Sequence, residues 1–185
     1  MAGWGLPITG YPSLGQRAQD RSRGMSTAPR QIEARDLDWV LALNRDHETE
    51  LSPLTPARLS ELIAAAFYAR ALAPQAAFLL AFDQEAAYDS PNFLWFRDRV
   101  RRFVYVDRIT VSPARRGRGL ARVLYDDLFA TARAQGHDRV VCEVNSDPPN
   151  PGSDAFHAAL GFREVGRAGL ADRGKSVRYL ERILP

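Results

Sequence analysis

Apolar residues recur along the chain in two rhythms, and the changes of rhythm mark the elements. Leu59, Leu62, Ile63 and Phe67 share one face at helical spacing, behind Thr55-Pro56, a cap followed by proline in the first turn. Ahead of them Trp39, Val40, Leu41 and Leu43 follow Asp36 and Asp38, either of which can cap a helix, and residues 31–34 suit a short edge strand. Pro74 closes that helical region, and the apolar run 76–82 reads as a buried strand. Residues 103–111 form the next strand, with a flaw in its alternation. Val104 and Val106 hold one parity, Ile109 and Val111 the other, and Asp107-Arg108 sits at the slip. One extra residue there, a β-bulge, produces such a change of face. A long helix then runs to about Gln135. Leu120, Val123, Leu124, Leu128 and Ala132 lie on its sheet side, Arg122, Asp126 and Arg133 on the other, and Gly136 suits its C-terminal cap. Residues 139–144 read as a strand, 154–160 as a short helix closed by Gly161, and 162–166 and 176–183 as the last two strands, joined by a hairpin over 168–174.

Two stretches break the pattern. Residues 1–29 are rich in Gly, Pro, Ser and Arg and sustain no apolar period, which predicts a disordered leader ahead of a folded domain over 30–185, with Met25 as an alternative start. Residues 85–102 mix aromatic side chains with Pro, Asn and Asp. They read either as a loop pinned to the core or as a substrate lid, with Tyr88, Asn92 and Trp95 as candidate substrate contacts.

Composition narrows the classes. At 185 residues and 45% hydrophobic, the chain has the size and make-up of one globular domain with a tail. A formal charge of +3 is mild and argues against a nucleic-acid or membrane partner. The single cysteine, Cys142, has no intrachain partner, and its apolar neighbours predict a buried thiol. His47, His137 and His157 have no ligand partners at metal spacing, so no metal is expected. No apolar run reaches the length of a membrane helix or a signal-peptide core, so a cytoplasmic protein is the default.

The chemistry concentrates at Arg116–Ala121. A Gly-rich loop that opens a helix is an anion site, because the first N–H groups have no internal partner and the macrodipole adds partial positive charge. Gly117 and Gly119 let a phosphate approach the backbone, and Arg115, Arg116 and Arg118 add forked donors. A Walker loop is excluded, since Lys175 is the only lysine. A dinucleotide fingerprint fails as well, because Arg122 stands where its third small residue belongs. What fits is Arg116-x-x-Gly119-x-Ala121 directly after a strand ending Val-x-Pro. This resembles the acyl-CoA pyrophosphate loop of the GCN5-related N-acetyltransferases, the GNAT superfamily. A second stretch strengthens it: Asn150-Pro-Gly-Ser153-Asp-Ala-Phe-His157-Ala-Ala-Leu160-Gly161-Phe162 is similar, in order and spacing, to the family's Asn-x-x-Ala/Ser, short helix and Leu-Gly-Phe. Together the two motifs span about 104–162.

The resemblance implies an α/β (α+β) fold, a mixed, twisted sheet of about six to seven strands with helices on both faces. Acetyl-CoA would wedge into the splay between the 103–111 strand and the Val140 strand. Backbone N–H groups of Arg116, Gly117, Arg118, Gly119, Leu120 and Ala121 would hold the pyrophosphate. Ile109, Thr110 and Val111 would pair with the pantetheine arm, and Asn150 and Ser153 would lie beside it. A bulge at Asp107–Ile109 would free an N–H for the thioester carbonyl. His157 stands where the family most often has a tyrosine that protonates the departing thiolate. Either an imidazolium acid or a neutral, sulfur-orienting ring fits that place, and so does a structural cap. Asp107 and Glu143 are the candidate bases for the amine, Asp107 ranking ahead for its place at the bulge. The implied function is transfer of the acetyl group to a primary amine, small or peptidic, by direct attack in a ternary complex. A non-catalytic acyl-CoA-binding sensor of the same fold is the alternative. An RNA-binding domain using Arg99–Arg102 and Arg115–Arg118 is a third reading, weakened by the mild charge. The edge of the final strand offers a route to a homodimer.

Overall fold

The computed structural model describes residues 28–48, 51–170 and 174–185. Most of the leader expected at 1–29 lies outside them. Seven strands make one sheet in the order β1-β2-β3-β4-β5-β7-β6: β1 (Arg30–Gln31), β2 (Tyr68–Leu72), β3 (Ala77–Asp83), β4 (Val104–Val111), β5 (Arg139–Asp147), β6 (Arg163–Leu170) and β7 (Lys175–Ile183). Among the described residues five α-helices accompany them: α1 (Leu37–Arg45), α2 (Pro56–Ala65), α3 (Pro91–Arg97), α4 (Leu120–Ala134) and α5 (Pro151–Ala159).

The helices cover both faces. On one, Leu124, Tyr125, Leu128, Phe129 and Ala132 of α4 pack with Leu160 and Phe162 on Leu79, Val104, Val106, Val140 and Cys142 of the sheet. On the other, Val40, Leu59, Leu62, Phe93 and Phe96 of α1, α2 and α3 pack on Phe78, Leu80, Tyr105, Val141 and Tyr179. Arg122, Asp126 and Arg133 are exposed on the far side of α4, as its periodicity predicts.

Neighbouring strands are antiparallel except β4 and β5, which pair in parallel over Val104↔Val140, Tyr105↔Val141 and Val106↔Cys142 only. The expected bulge is present. Leu80 pairs with Arg108 and Ala81 with Val106, leaving Asp107 as the additional residue of β4. Val104, Val106, Ile109 and Val111 therefore all meet the α4-side core despite their opposite parities.

Several sequence expectations are corrected. The stretch 68–72, read as a continuation of the α2 region, is strand β2. Its Ala- and Leu-rich sequence has high helix propensity, yet it pairs with β3 from Tyr68↔Ala81 to Leu72↔Ala77, and tertiary pairing overrides propensity. The Tyr68 hydroxyl fixes it to α4 by donating to Asp127 Oδ2 at 2.8 Å. The irregular segment 85–102 contains helix α3, with Pro91 in its first turn. Strand β6 runs on to Leu170, so the hairpin is shorter than expected. The final strand, β7, lies between β5 and β6, so the free edge belongs to β6.

Phe93 and Phe96 are fully buried between α3 and the sheet. Phe93→Ala is expected to lower unfolding free energy by about 3–5 kcal/mol, measured by denaturant titration.

Candidate active site

Beyond Val106 and Cys142 the strands β4 and β5 no longer pair, and a cleft of about 600 Å3 opens between them. Val106, Tyr125 and Cys142 lie at its closed end. Ile109, Thr110 and Val111 form one wall, Glu143, Val144 and Asn145 the other. Asn150, Ser153 and His157 flank it from α5, and Arg116, Gly117, Gly119, Leu120 and Ala121 stand at its mouth. Every residue expected along the CoA arm lines this cleft except Arg118.

The loop at the mouth is shaped by two glycines. Gly117 and Gly119 both have φ of +73°, a left-handed conformation that favours glycine, and Gly119 is the N-cap of α4. A Cβ built on either would meet nothing within 4 Å, so the space above the helix N-terminus is open to a ligand. Across the cleft, Asn150 caps α5, its Oδ1 accepting from the Ser153 N–H at 3.1 Å. The Thr110 Oγ1 is buried and has no hydrogen-bond partner among the described residues.

A second cleft, of about 560 Å3, opens on the α1–α3 face of the sheet. Ser52 and Leu54 of the α1–α2 loop, Arg58, the segment Tyr88–Asn92, and Leu170 and Lys175 of the β6–β7 hairpin surround it. The two clefts share Leu51, Asp107, Arg108, Glu143 and Asn145, so they meet at the two candidate carboxylates.

Those carboxylates differ sharply. Asp107 is committed on both oxygens: Oδ1 accepts from the Tyr88 hydroxyl at 2.6 Å and Oδ2 from Arg108 Nε at 2.6 Å. Arg108 is buried with it and also donates to Asn44 Oδ1 at 2.7 Å, tying the bulge to α1. Glu143 accepts from Asn92 Nδ2 on Oε1 at 2.9 Å; its Oε2 is buried, and the buried Tyr105 hydroxyl approaches the carboxylate as a donor. Burial raises Glu143 to about 7. The nearby Tyr105 hydroxyl opposes the rise, the Asp107 charge adds to it, and the Asn92 amide opposes it.

His157 is buried, and its Nδ1 lies 2.8 Å from the Ser153 carbonyl oxygen. A carbonyl only accepts, so Nδ1 carries the proton, and Nε2, 2.8 Å from the Tyr125 hydroxyl, accepts from it. Burial pushes the His157 pKa down, with the Ser153 carbonyl opposing, and the neutral ring's one N–H is already engaged. Tyr125, which the sequence reading did not single out, is the partner this histidine requires. Its position in the apolar face of α4 gave no sign of it.

Of the three residues expected at the substrate, Tyr88 and Asn92 line the second cleft but spend polar groups on Asp107 and Glu143. Trp95 lines neither cleft and stacks on the Tyr179 ring at 4.1 Å.

Residues 86–162 match the model of the Acetyltransferase (GNAT) family. The chain has the GNAT fold. Ard1 from Thermoplasma volcanium superposes with a TM-score of 0.67 at 18% identity, covering 85% of this chain and 97% of that one. Arabidopsis thaliana NAA60 in complex with acetyl-CoA gives 0.65 at 16%, covering 85% and 98%. A GCN5-related N-acetyltransferase from Kribbella flavida gives 0.61 at 18%, covering 84% and 96%. No curated protein sequence matches the chain. At these identities the likeness is one of fold, and the parted β4 and β5 are the part of the GNAT fold that forms the cleft. Among the described residues no cluster of three His, Cys, Asp or Glu could hold a metal ion, and no helix is long and apolar enough to cross a membrane.

Glu143 also gives a stability test. Its folded pKa is about 7 against an ordinary value of 4.5, so between those values the unfolded chain binds fewer protons and stability falls as pH rises. Glu143→Gln is expected to match the parent near pH 4 and to exceed it at pH 8 by up to about 3 kcal/mol, read from paired denaturation curves.

Proposed function

We propose that the chain is an acyl-CoA-dependent N-acetyltransferase that joins acetyl-CoA and a primary amine at the meeting point of the two clefts. The observation that carries this reading is that meeting point: a loop shaped by two left-handed glycines at one mouth, a parted strand pair leading inward, and the buried Glu143 carboxylate where the two clefts join. The first cleft suits acetyl-CoA, with the N–H groups of residues 116–121 at the pyrophosphate and the unpaired edge of β4 along the pantetheine arm. Thr110 Oγ1 offers that arm a buried hydroxyl with no partner among the described residues. The second cleft suits the amine.

In the reaction the amine nitrogen bonds to the acetyl carbon, the carbon–sulfur bond breaks, and the amine proton passes to a base. Glu143 is that base. It lies where the two clefts join and burial raises it to about 7, whereas Asp107 has both oxygens engaged. Asp107 instead holds Arg108 and the bulge in place, and the bulge directs a backbone N–H toward the thioester carbonyl. His157 and Tyr125 line the wall where sulfur departs. Burial keeps both neutral, and the Tyr125 hydroxyl can turn from Nε2 toward the thiolate, so the pair acts as an orienting donor rather than as an imidazolium acid.

The engaged N–H of His157 favours a second reading, a module that binds acyl-CoA without transfer. Calorimetry with acetyl-CoA, followed by thiol release against a panel of small amines and peptide N-termini, tests both. Gly119→Glu places a negative charge at the loop and is expected to abolish binding, whereas failure of the intact protein to bind would remove the acyl-CoA reading altogether. Binding without thiol release across the panel would leave the binding module. For an amine that is acetylated, Tyr125→Phe and His157→Ala are expected to lower kcat about tenfold, the value of one hydrogen bond, with acetyl-CoA affinity nearly unchanged. An unchanged kcat would remove the pair from the mechanism.

A further inference from the structure

Glu143 Oε1 is the end of a hydrogen-bond chain that starts on a different strand. The Tyr179 hydroxyl of β7 donates to Asn92 Oδ1 at 3.1 Å, and Asn92 Nδ2 donates to Glu143 Oε1 at 2.9 Å. Asn92 is 4% exposed and Tyr179 is 1% exposed, so neither exchanges these bonds for water. We propose that Tyr179 and Asn92 are positioning residues for the transfer reaction, a two-bond chain that holds Oε1 of Glu143 and so fixes the carboxylate where the two clefts join. The proposal rests on the reading of Glu143 as the base.

The chain has one self-consistent direction while Glu143 is ionised. A carboxylate only accepts, so the Asn92 NH2 faces Glu143, Oδ1 faces Tyr179, and the hydroxyl must donate. Each bond therefore favours the charged carboxylate. Without the Tyr179 hydroxyl, Asn92 Oδ1 loses its donor and the amide is held from the Glu143 side alone. The ring bearing that hydroxyl is itself locked. Trp95 stacks on it at 4.1 Å and 20°, and Phe96 meets it edge-on at 5.3 Å. Trp95 fits there because Gly166 of β6 has no side chain: a Cβ at that position would stand 2.5 Å from the Trp95 ring. Trp95 and Asn92, both expected at the substrate, thus serve the base from behind.

The titratable and charged groups around Glu143 are Asp107, Arg108 and Tyr105 of β4, Cys142 beside it on β5, Tyr88 ahead of α3, Tyr179 of β7, and Tyr125 of α4 across the sheet. Neither Tyr179→Phe nor Asn92→Leu changes the formal charge of this group, so a shift of the Glu143 midpoint reads the chain itself. Tyr179→Phe keeps the stacked ring and removes only the donor.

The experiment is a side-chain 13C NMR titration of the full chain labelled at glutamate carboxyls, with the Glu143 signal assigned by its loss in Glu143→Gln. Tyr179→Phe and Asn92→Leu are expected to raise the Glu143 midpoint by about half to one unit. The acid limb of kcat/KM, measured with an amine found in the panel above, is expected to move upward by the same amount at unchanged acetyl-CoA affinity. If Asn92→Leu does not fold, Tyr179→Phe decides alone. An unmoved midpoint in Tyr179→Phe overturns the chain, whether or not Glu143 is the base. If instead the midpoint moves but Glu143→Gln keeps full transfer activity, the base assignment falls, and the positioning role in the reaction falls with it.

Discussion

The structure depends on a pairing that stops early. β4 and β5 are the one parallel pair in the sheet, and they hold register for three residue pairs before they separate. A parallel pair has no hairpin to force its register, and here the crossover is α4. Beyond the last pair, β4 remains tied to β3 and β5 to β7, so each strand keeps one partner while their facing edges part. Two rows of backbone donors and acceptors are thereby left facing a gap. Buried backbone groups are costly to leave unpaired, and a ligand that runs as an extended chain satisfies them. The bulge at Asp107 lies directly beyond the last β4 residue in the parallel pair, and it turns the backbone where the gap begins.

That gap gives charge its meaning. A carboxylate in a solid sheet would need a fixed counter-ion, and Asp107 has one in Arg108. Glu143 lies across from it, with one oxygen held by an amide and the Tyr105 hydroxyl beside the carboxylate, and burial carries its pKa into the neutral range. Of the two acids, Asp107 braces the backbone through Arg108, and burial brings Glu143 to where it can take and release a proton near pH 7.

The legible parts of this molecule were those with local causes. The parity slip between Val106 and Ile109 announced the bulge, since a strand's period of two leaves no other simple account of it. The glycines at 117 and 119 announced the left-handed turns that lead into α4, since that conformation favours glycine. The helix cap at Thr55 was visible for the same reason, its hydroxyl accepting from the Arg58 N–H. What stayed hidden depended on partners distant in sequence. β2 reads as helix until β3 pairs with it. Asn92 looks like a loop polar group until Tyr179, 87 residues away, orients its amide. Tyr125 sits among apolar neighbours on α4, and only the fold brings it to His157. The ranking of Asp107 over Glu143 rested on position along the strand, whereas the distinction lies in the bonds that engage both Asp107 oxygens and the burial that raises Glu143.

The place of β7 between β5 and β6 also has a consequence for how the site comes into being. β6 is synthesised before the strand it must pair with, and it has no contact with β5 except through β7. A nascent chain can close α4, α5 and the first five strands while the right-hand third of the sheet is still unpaired. Tyr179 arrives with β7, so Asn92 and Glu143 gain the last bond of their chain after the strands of the cleft have been made. The order of translation separates a half-built pocket from a finished one by a single strand insertion.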